Sequence, residues 1–127
     1  MQRILIVDDE THIRILLQQT LEEFEEMNIE ILTAENGRKA IEIIKEKKPN
    51  LIFLDVMMPE MNGYETCQKI KKELKVNAYV VMLTAKGQDV DKQKGLECGA
   101  DIYITKPFDP DEIVKLTSDI LEVDLNK

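Results

Sequence analysis

The stretch LIFLDVMMPEMNG, residues 51–63, contains a short apolar run that ends in an aspartate and leads into a loop with proline and glycine. Three other apolar runs also end in polar or charged residues: ILIVDD at 4–9, YVVMLT at 79–84 and IYITKP at 102–107. Runs of this length are typical of strands that are buried on both faces. A carboxylate at the end of such a strand requires a partner, because an unpaired buried charge is costly.

Segments with apolar residues at helical spacing alternate with these runs, which is the pattern of strand–helix–strand units. The predicted strands lie near residues 2–7, 29–33, 51–54, 78–83 and 101–104. Because right-handed crossovers leave few topologies, we expect a flavodoxin-like (βα)5 three-layer sandwich, an α/β fold with a parallel sheet in the order 2-1-3-4-5. The domain is expected to span residues 1–122, with a frayed tail at 123–127.

The helices predicted between these strands have definite faces and ends. Helix 3 runs to about Lys72, helix 4 spans 88–98, and helix 5 begins at Asp109-Pro110. The apolar face of helix 1 is formed by Ile13, Leu16, Leu17, Leu21 and Phe24.

The composition and net charge of the 127-residue chain argue against several classes of protein. Its net charge of −8 disfavours direct binding of nucleic acid. It has no apolar run long enough to cross a membrane and no signal-peptide pattern, so we expect a cytoplasmic protein that does not bind membranes. Cys67 and Cys98 match no zinc or redox spacing and are expected to be reduced, partly buried thiols.

The polar residues after the strands should converge, because the carboxyl ends of parallel strands form one edge of the sheet. Asp8, Asp9, Asp55, Thr84 and Lys106 lie there. Clustered carboxylates tend to share protons or hold a cation, and magnesium prefers such hard oxygen ligands. An aspartate can also attack phosphorus as a nucleophile. The pattern therefore indicates a metal-assisted phosphate site.

Four motifs resemble the receiver domain of two-component response regulators: ILIVDDE, LIFLDVMMPEMNG, LTA at 83–85 and GADIYITKPF at 99–108. The resemblance extends from about Arg3 to Leu121. It implies that Asp55 accepts a phosphoryl group. It also implies a Mg2+ site, which Mn2+ can occupy instead, formed by Asp8, Asp9, Asp55 and the backbone carbonyl of Met57.

The same resemblance implies roles for the other end of the site. Lys106, with a cis bond to Pro107, would pair with the phosphoryl group, and Thr84 and Tyr103 would form the switch. Output would pass through the face of helix 4, strand 5 and helix 5. The implied partners are a histidine kinase or histidine phosphotransfer protein upstream, and a protein target or output domain downstream. A stand-alone regulator and an excised receiver both fit.

Two further readings are open from the residues. An aspartyl-phosphate phosphatase is the first, although such enzymes usually place the nucleophile after strand 1 in an Asp-x-Asp pattern. A nucleotide or flavin binder is the second, although the chain lacks GxxxxGK and GxGxxG.

Within the receiver family, Met57 and Lys86 would border the path of the attacking water. We hypothesise that the bulky Met57 side chain prolongs the life of the aspartyl phosphate.

Overall fold

A five-stranded parallel sheet organises the computed structural model, which describes residues 1–85 and 98–124. The strand order is β2-β1-β3-β4-β5, which confirms the predicted topology. The strands are β1 Gln2–Val7, β2 Ile29–Ala34, β3 Leu51–Asp55, β4 Tyr79–Ala85 and β5 Ile102–Lys106.

Helices cover both faces of this sheet. They are α1 Thr11–Thr20, a 3-10 helix Glu22–Met27, α2 Gly37–Lys47, α3 Gly63–Gln68, a π-helical continuation of α3 at Lys69–Glu73, and the C-terminal helix Pro110–Leu121. The predicted helix at 88–98 lies almost entirely outside the described residues. Residues 125–127 of the predicted tail also lie outside them, while Val123 donates its backbone N–H to the Ser118 carbonyl at 3.0 Å.

The core consists of two apolar layers because successive side chains of a strand point to opposite faces. In β1, Leu5 and Val7 belong to the layer under α2 and α3, and Ile4 and Ile6 belong to the layer under α1 and the C-terminal helix. All four side chains are fully buried. The continuous apolar runs of the sequence are thus explained by strands that are covered twice.

Side-chain caps start three of the helices, including the one predicted to begin at Asp109-Pro110. Asn36 accepts a hydrogen bond from the backbone N–H of Lys39 and begins α2. Asn62 and Glu65 form a reciprocal capping box at the start of α3. Asp109 caps the C-terminal helix, with Pro110 in its first turn. These caps fix the ends of loops that begin at the carboxyl edge of the sheet.

The structure corrects three local predictions. Helix 1 ends at Thr20 and gives way to the 3-10 helix, so the predicted single face does not continue to Phe24 on one α-helix. Leu16 is 41% exposed, whereas Leu17 is fully buried, so Leu16 is not part of the buried face. The cysteines are fully buried rather than partly buried.

A change of hydrogen bonding also occurs near the end of α3. The chain stays helical past Lys72, as predicted, but Leu74 donates to the Lys69 carbonyl at 2.8 Å, five residues back. This spacing defines a π-helical turn, which a sequence pattern of α-helical period does not distinguish.

An acidic site at the carboxyl edge of the sheet

Strand register places the predicted polar residues side by side. Val7 of β1 pairs with Leu54 of β3, so the residues that follow them, Asp8 and Asp55, are neighbours. Asp55 itself pairs with Leu83 of β4, one residue before Thr84. On the outer side, Ala85 of β4 pairs with Lys106 of β5. The convergence expected from sequence is therefore present in the structure.

Four carboxylates form the acidic part of the site. Asp8, Asp9, Glu10 and Asp55 each offer a ligand oxygen, and these atoms all lie within 4.8 Å of one another. Asp8 and Asp55 are buried, at 0% and 4% exposure, while Asp9 and Glu10 face solvent. Glu10 was missing from the predicted site, and its position directly after the aspartate pair was the available signal.

Lys106 supplies the counter-charge from β5. Its Nζ atom lies 2.9 Å from Oδ2 of Asp8, 3.4 Å from Oδ1 of Asp55 and 3.7 Å from Oε1 of Glu10. The Lys106 side chain is 13% exposed, so these contacts are shielded from water. The peptide bond to Pro107 is cis, as the resemblance implied.

Burial and neighbouring charges shift the pKa values of Asp55 and Lys106. Burial, followed by the neighbouring Asp8 carboxylate, raises the pKa of Asp55 from 3.8 to about 7, against the opposing effect of Lys106. Burial alone would lower the pKa of Lys106, but its hydrogen bond to Asp8 and the nearby charges raise that pKa above its usual value. Lys106 is thus a permanent cation between carboxylates that are costly to ionise together.

Backbone contacts fix the turn after β1. Oδ1 of Asp8 accepts the backbone N–H of Glu10 at 2.9 Å, and the Asp8 N–H donates to the Ala34 carbonyl at 3.2 Å. Arg14 reaches back from α1, and its Nη1 donates to the Asp8 carbonyl at 2.6 Å. These bonds leave Oδ2 of Asp8 for Lys106.

Gly63 allows the loop after β3 to return closely to Asp55. Its N–H donates to the Val56 carbonyl at 2.9 Å. A Cβ atom at Gly63 would lie 2.8 Å from Cα of Val56 and closer still to the Asp55 carbonyl oxygen. Met57 in this loop donates its N–H to Oδ1 of Asp55 at 3.3 Å, while its side chain is 62% exposed.

The two predicted switch residues lie in different surroundings. Thr84 is 3% exposed at the end of β4. Tyr103 of β5 packs against the layer that contains Cys67 and Cys98, and its buried hydroxyl has no hydrogen-bond partner within the described residues. Burial raises the pKa of Tyr103. Lys86, the other predicted neighbour of the water path, lies outside the described residues.

His12 lies in the first turn of α1. Its side chain is 75% exposed, and Nε2 lies 3.5 Å from a carboxylate oxygen of Glu10.

No helix within residues 1–85 and 98–124 is long and apolar enough to span a membrane.

Comparison with known protein families identifies the family of this chain. Residues 4–118 match the response regulator receiver domain. The chain therefore belongs to the receiver domains of two-component response regulators, which are signalling proteins. The phosphatase alternative receives no support from this match.

Relatives and solved structures agree with the assignment. The chain is 45% identical over 112 residues to the probable transcriptional regulator ycf27 of Porphyra purpurea, covering 88% of this chain and 44% of that protein. It is 48% identical to the phosphate regulon transcriptional regulatory protein PhoB of Pseudomonas aeruginosa, covering 87% and 48%. The chemotaxis protein CheY4 of Vibrio cholerae superposes with a TM-score of 0.81 at 30% identity, covering 94% and 98%. The chain thus spans about half the length of the curated relatives that it matches.

Proposed function

We propose that Asp55 is the phosphoacceptor of this receiver. The observation that carries the proposal is a buried Asp55 carboxylate with an ammonium 3.4 Å away and ligand oxygens of three further carboxylates within 4.8 Å. A nucleophilic aspartate next to a fixed positive charge suits phosphoryl transfer, which depends mainly on positioning and charge stabilisation.

The donor set suits a Mg2+ ion. Magnesium takes oxygen ligands at about 2.0–2.1 Å in an octahedral shell, so neighbouring ligand oxygens lie roughly 3–4 Å apart. The carboxylate oxygens here lie within 4.8 Å of one another, so the side chains would need to move only slightly closer together to bind one ion. Asp8, Asp9, Asp55 and the backbone carbonyl of Met57 would hold the ion, and Mn2+ would be accepted in its place. When bound, the ion would neutralise charge on the phosphoryl oxygens.

The remaining chemistry belongs to side chains of this chain. A carboxylate oxygen of Asp55 forms a bond to phosphorus while the phosphorus–nitrogen bond of a phosphohistidine breaks, and its electron pair returns to the imidazole. Lys106 then exchanges a carboxylate partner for a phosphoryl oxygen, which gains charge-assisted hydrogen bonding. In this proposal the domain catalyses only its own phosphorylation and dephosphorylation.

Thr84 and Tyr103 would convert the new bond into a change of surface. The Thr84 hydroxyl, next to Asp55 in register, would bond a phosphoryl oxygen, and the half-buried Tyr103 ring would respond on β5. The output face would comprise the predicted helix 4, β5 and the C-terminal helix. The upstream partner would be a histidine kinase or phosphotransfer protein, and the downstream partner a protein target or output domain.

Labelling with a small phosphodonor tests this function. The purified chain is incubated with acetyl phosphate and MgCl2, and intact mass is followed. We expect one added phosphoryl group, lost when EDTA replaces Mg2+ and absent in Asp55→Asn. The matched control Asp111→Asn, at an exposed position on the C-terminal helix, should label like wild type. Labelling that survives Asp55→Asn would refute the proposed acceptor, and turnover of a phosphate ester would indicate an enzyme.

A further inference from the structure

Two buried cysteines lie together at a distance from the acidic site. Cys67 on α3 is 0% exposed, and Cys98, four residues before β5, is 1% exposed. The Cys67 thiol donates to the backbone carbonyl of Cys98 at 3.4 Å, across a sequence separation of 31 residues. Neither cysteine is part of a disulfide in the structure.

This contact places the Cys67 sulfur next to the backbone of Cys98. A carbonyl oxygen lies about 2.4 Å from the Cα atom of its own residue, so the sulfur is within roughly 6 Å of Cα of Cys98. A disulfide requires the two Cβ atoms to lie about 3.5–4.5 Å apart, so bond formation requires the Cys98 side chain to turn toward Cys67 and the two segments to move closer together.

We propose that Cys67 and Cys98 form a redox-sensitive pair that closes to an intramolecular disulfide when the protein meets a peroxide. The bond would tie α3 to the segment that enters β5. Both cysteines share one apolar layer with Tyr103, so the tie would form beside that ring. This proposal is independent of phosphorylation at Asp55.

The reaction balances with hydrogen peroxide as the oxidant. The Cys98 sulfur attacks one peroxide oxygen, the oxygen–oxygen bond breaks, and the other oxygen leaves as water with the thiol proton, which gives a sulfenic acid on Cys98. The Cys67 sulfur then attacks the Cys98 sulfur, the sulfur–oxygen bond breaks, and a second water leaves. Two thiols lose two electrons in total, and the peroxide gains them.

The environment of the pair favours Cys98 as the attacking group. Its hydrogen-bonding contact with Cys67 lowers the pKa of the Cys98 thiol to about 7. The same contact, followed by burial, raises the pKa of Cys67. The thiolate is the form that attacks a peroxide, so this asymmetry makes Cys98 the sulfur that is oxidised first. Because both sulfurs are buried, a small oxidant is required.

Oxidation of the native, fully reduced chain tests the pair. The protein is treated with hydrogen peroxide at neutral pH, then denatured and blocked with N-ethylmaleimide. We expect a monomer without alkylated cysteines, a linked Cys67–Cys98 peptide on mapping, and recovery of both thiols with dithiothreitol. Closing a loop of this length should raise the melting temperature of the oxidised protein by about 10 °C.

Cys67→Ala and Cys98→Ala are the controls. Cys98→Ala should keep a Cys67 thiol that is alkylated after denaturation, Cys67→Ala should stop at a sulfenic acid on Cys98, and neither should gain the rise in melting temperature. Persistent free thiols, disulfide-linked dimers alone, or a sulfinic acid in wild type would each overturn the proposal. A disulfide that leaves the melting temperature unchanged would overturn the tie between α3 and β5. The wild-type result does not depend on whether either variant folds.

Discussion

Replacing Lys106 with methionine removes the ammonium that lies between the buried carboxylates. At an effective dielectric constant of about 20, a pair of charges 3 to 3.5 Å apart attracts by about 5 kcal/mol, and removing one partner of a buried pair typically costs about 3–5 kcal/mol. Asp55 can relieve part of that loss by taking up a proton, since its pKa is already about 7. We therefore expect Lys106→Met to lower the free energy of unfolding by about 2–3 kcal/mol at pH 7.5 in EDTA.

Magnesium should reverse much of that loss. In wild type, a cation entering the acidic cluster meets Lys106, whose Nζ is 2.9 Å from Asp8. In Lys106→Met the cation meets four carboxylates without this ammonium, so it should bind more tightly. A ligand at about 100 times its Kd stabilises the folded state by about 2.7 kcal/mol. Saturating MgCl2 should thus stabilise the variant by at least 1 kcal/mol more than it stabilises wild type, by the same linkage relation.

Urea unfolding followed by circular dichroism measures both effects. Lys115→Met, at an exposed position of the C-terminal helix, is the matched control and should stay within about 0.5 kcal/mol of wild type. Unchanged stability of Lys106→Met in EDTA would refute the account of Lys106 as a counter-charge. An equal Mg2+ shift in wild type and variant would refute the competition between Lys106 and the metal.

Three other substitutions probe the loop and the acceptor. Met57→Asn should shorten the phosphoryl lifetime several-fold, because the exposed Met57 side chain would no longer shield the acyl phosphate from water; loss of label is timed by intact mass, with Met27→Asn as control. Gly63→Ala should destabilise the protein by about 2–4 kcal/mol in urea unfolding, because its Cβ would overlap the backbone at Val56. The third, Asp55→Asn, should remove a pH dependence of metal-free stability. The folded-state pKa of Asp55 is raised from 3.8 to about 7, so its contribution is fully present below pH 3.8 and is lost as pH rises through 7. The stabilisation by Asp55→Asn should accordingly be about 2 kcal/mol larger at pH 8 than at pH 5.

Each of these has a contrary result. An unchanged phosphoryl lifetime in Met57→Asn would refute the shielding hypothesis. A Gly63→Ala protein as stable as wild type would show that the loop can move away from Asp55 without cost. If wild type and Asp55→Asn differ in stability by the same amount at both pH values, Asp55 is not held near neutral pKa in the folded protein.

The sheet and the principal site residues could be predicted because each depends on a local pattern. Apolar runs identify the strands, and parallel order brings their carboxyl ends to one edge whatever the loops do. Asp8, Asp55 and Lys106 follow directly from that geometry, and their contacts at 2.9 and 3.4 Å agree with it. The family resemblance added the separate roles of the aspartates.

Other features depend on ångström-scale placement that no periodicity encodes. Leu16 and Leu17 are equally apolar in sequence, but successive residues of α1 point about 100° apart, and the packing of the helix exposes Leu16 and buries Leu17. The Arg14 bond to the Asp8 carbonyl joins residues whose pairing depends on a turn geometry. Cys67 lies on α3 and Cys98 lies just before β5, 31 residues further along the chain. Their contact depends on how these two segments pack together, so residue spacing alone did not predict it.

The central claim is that the phosphoryl group is attached to Asp55. Borohydride reduction converts an aspartyl phosphate to homoserine and thereby marks the modified residue for peptide sequencing by mass spectrometry. After labelling with acetyl phosphate and Mg2+, the account predicts homoserine at position 55, with Asp8 and Asp9 unchanged. Homoserine at Asp8 or Asp9, or a stable label that borohydride does not convert, would contradict it.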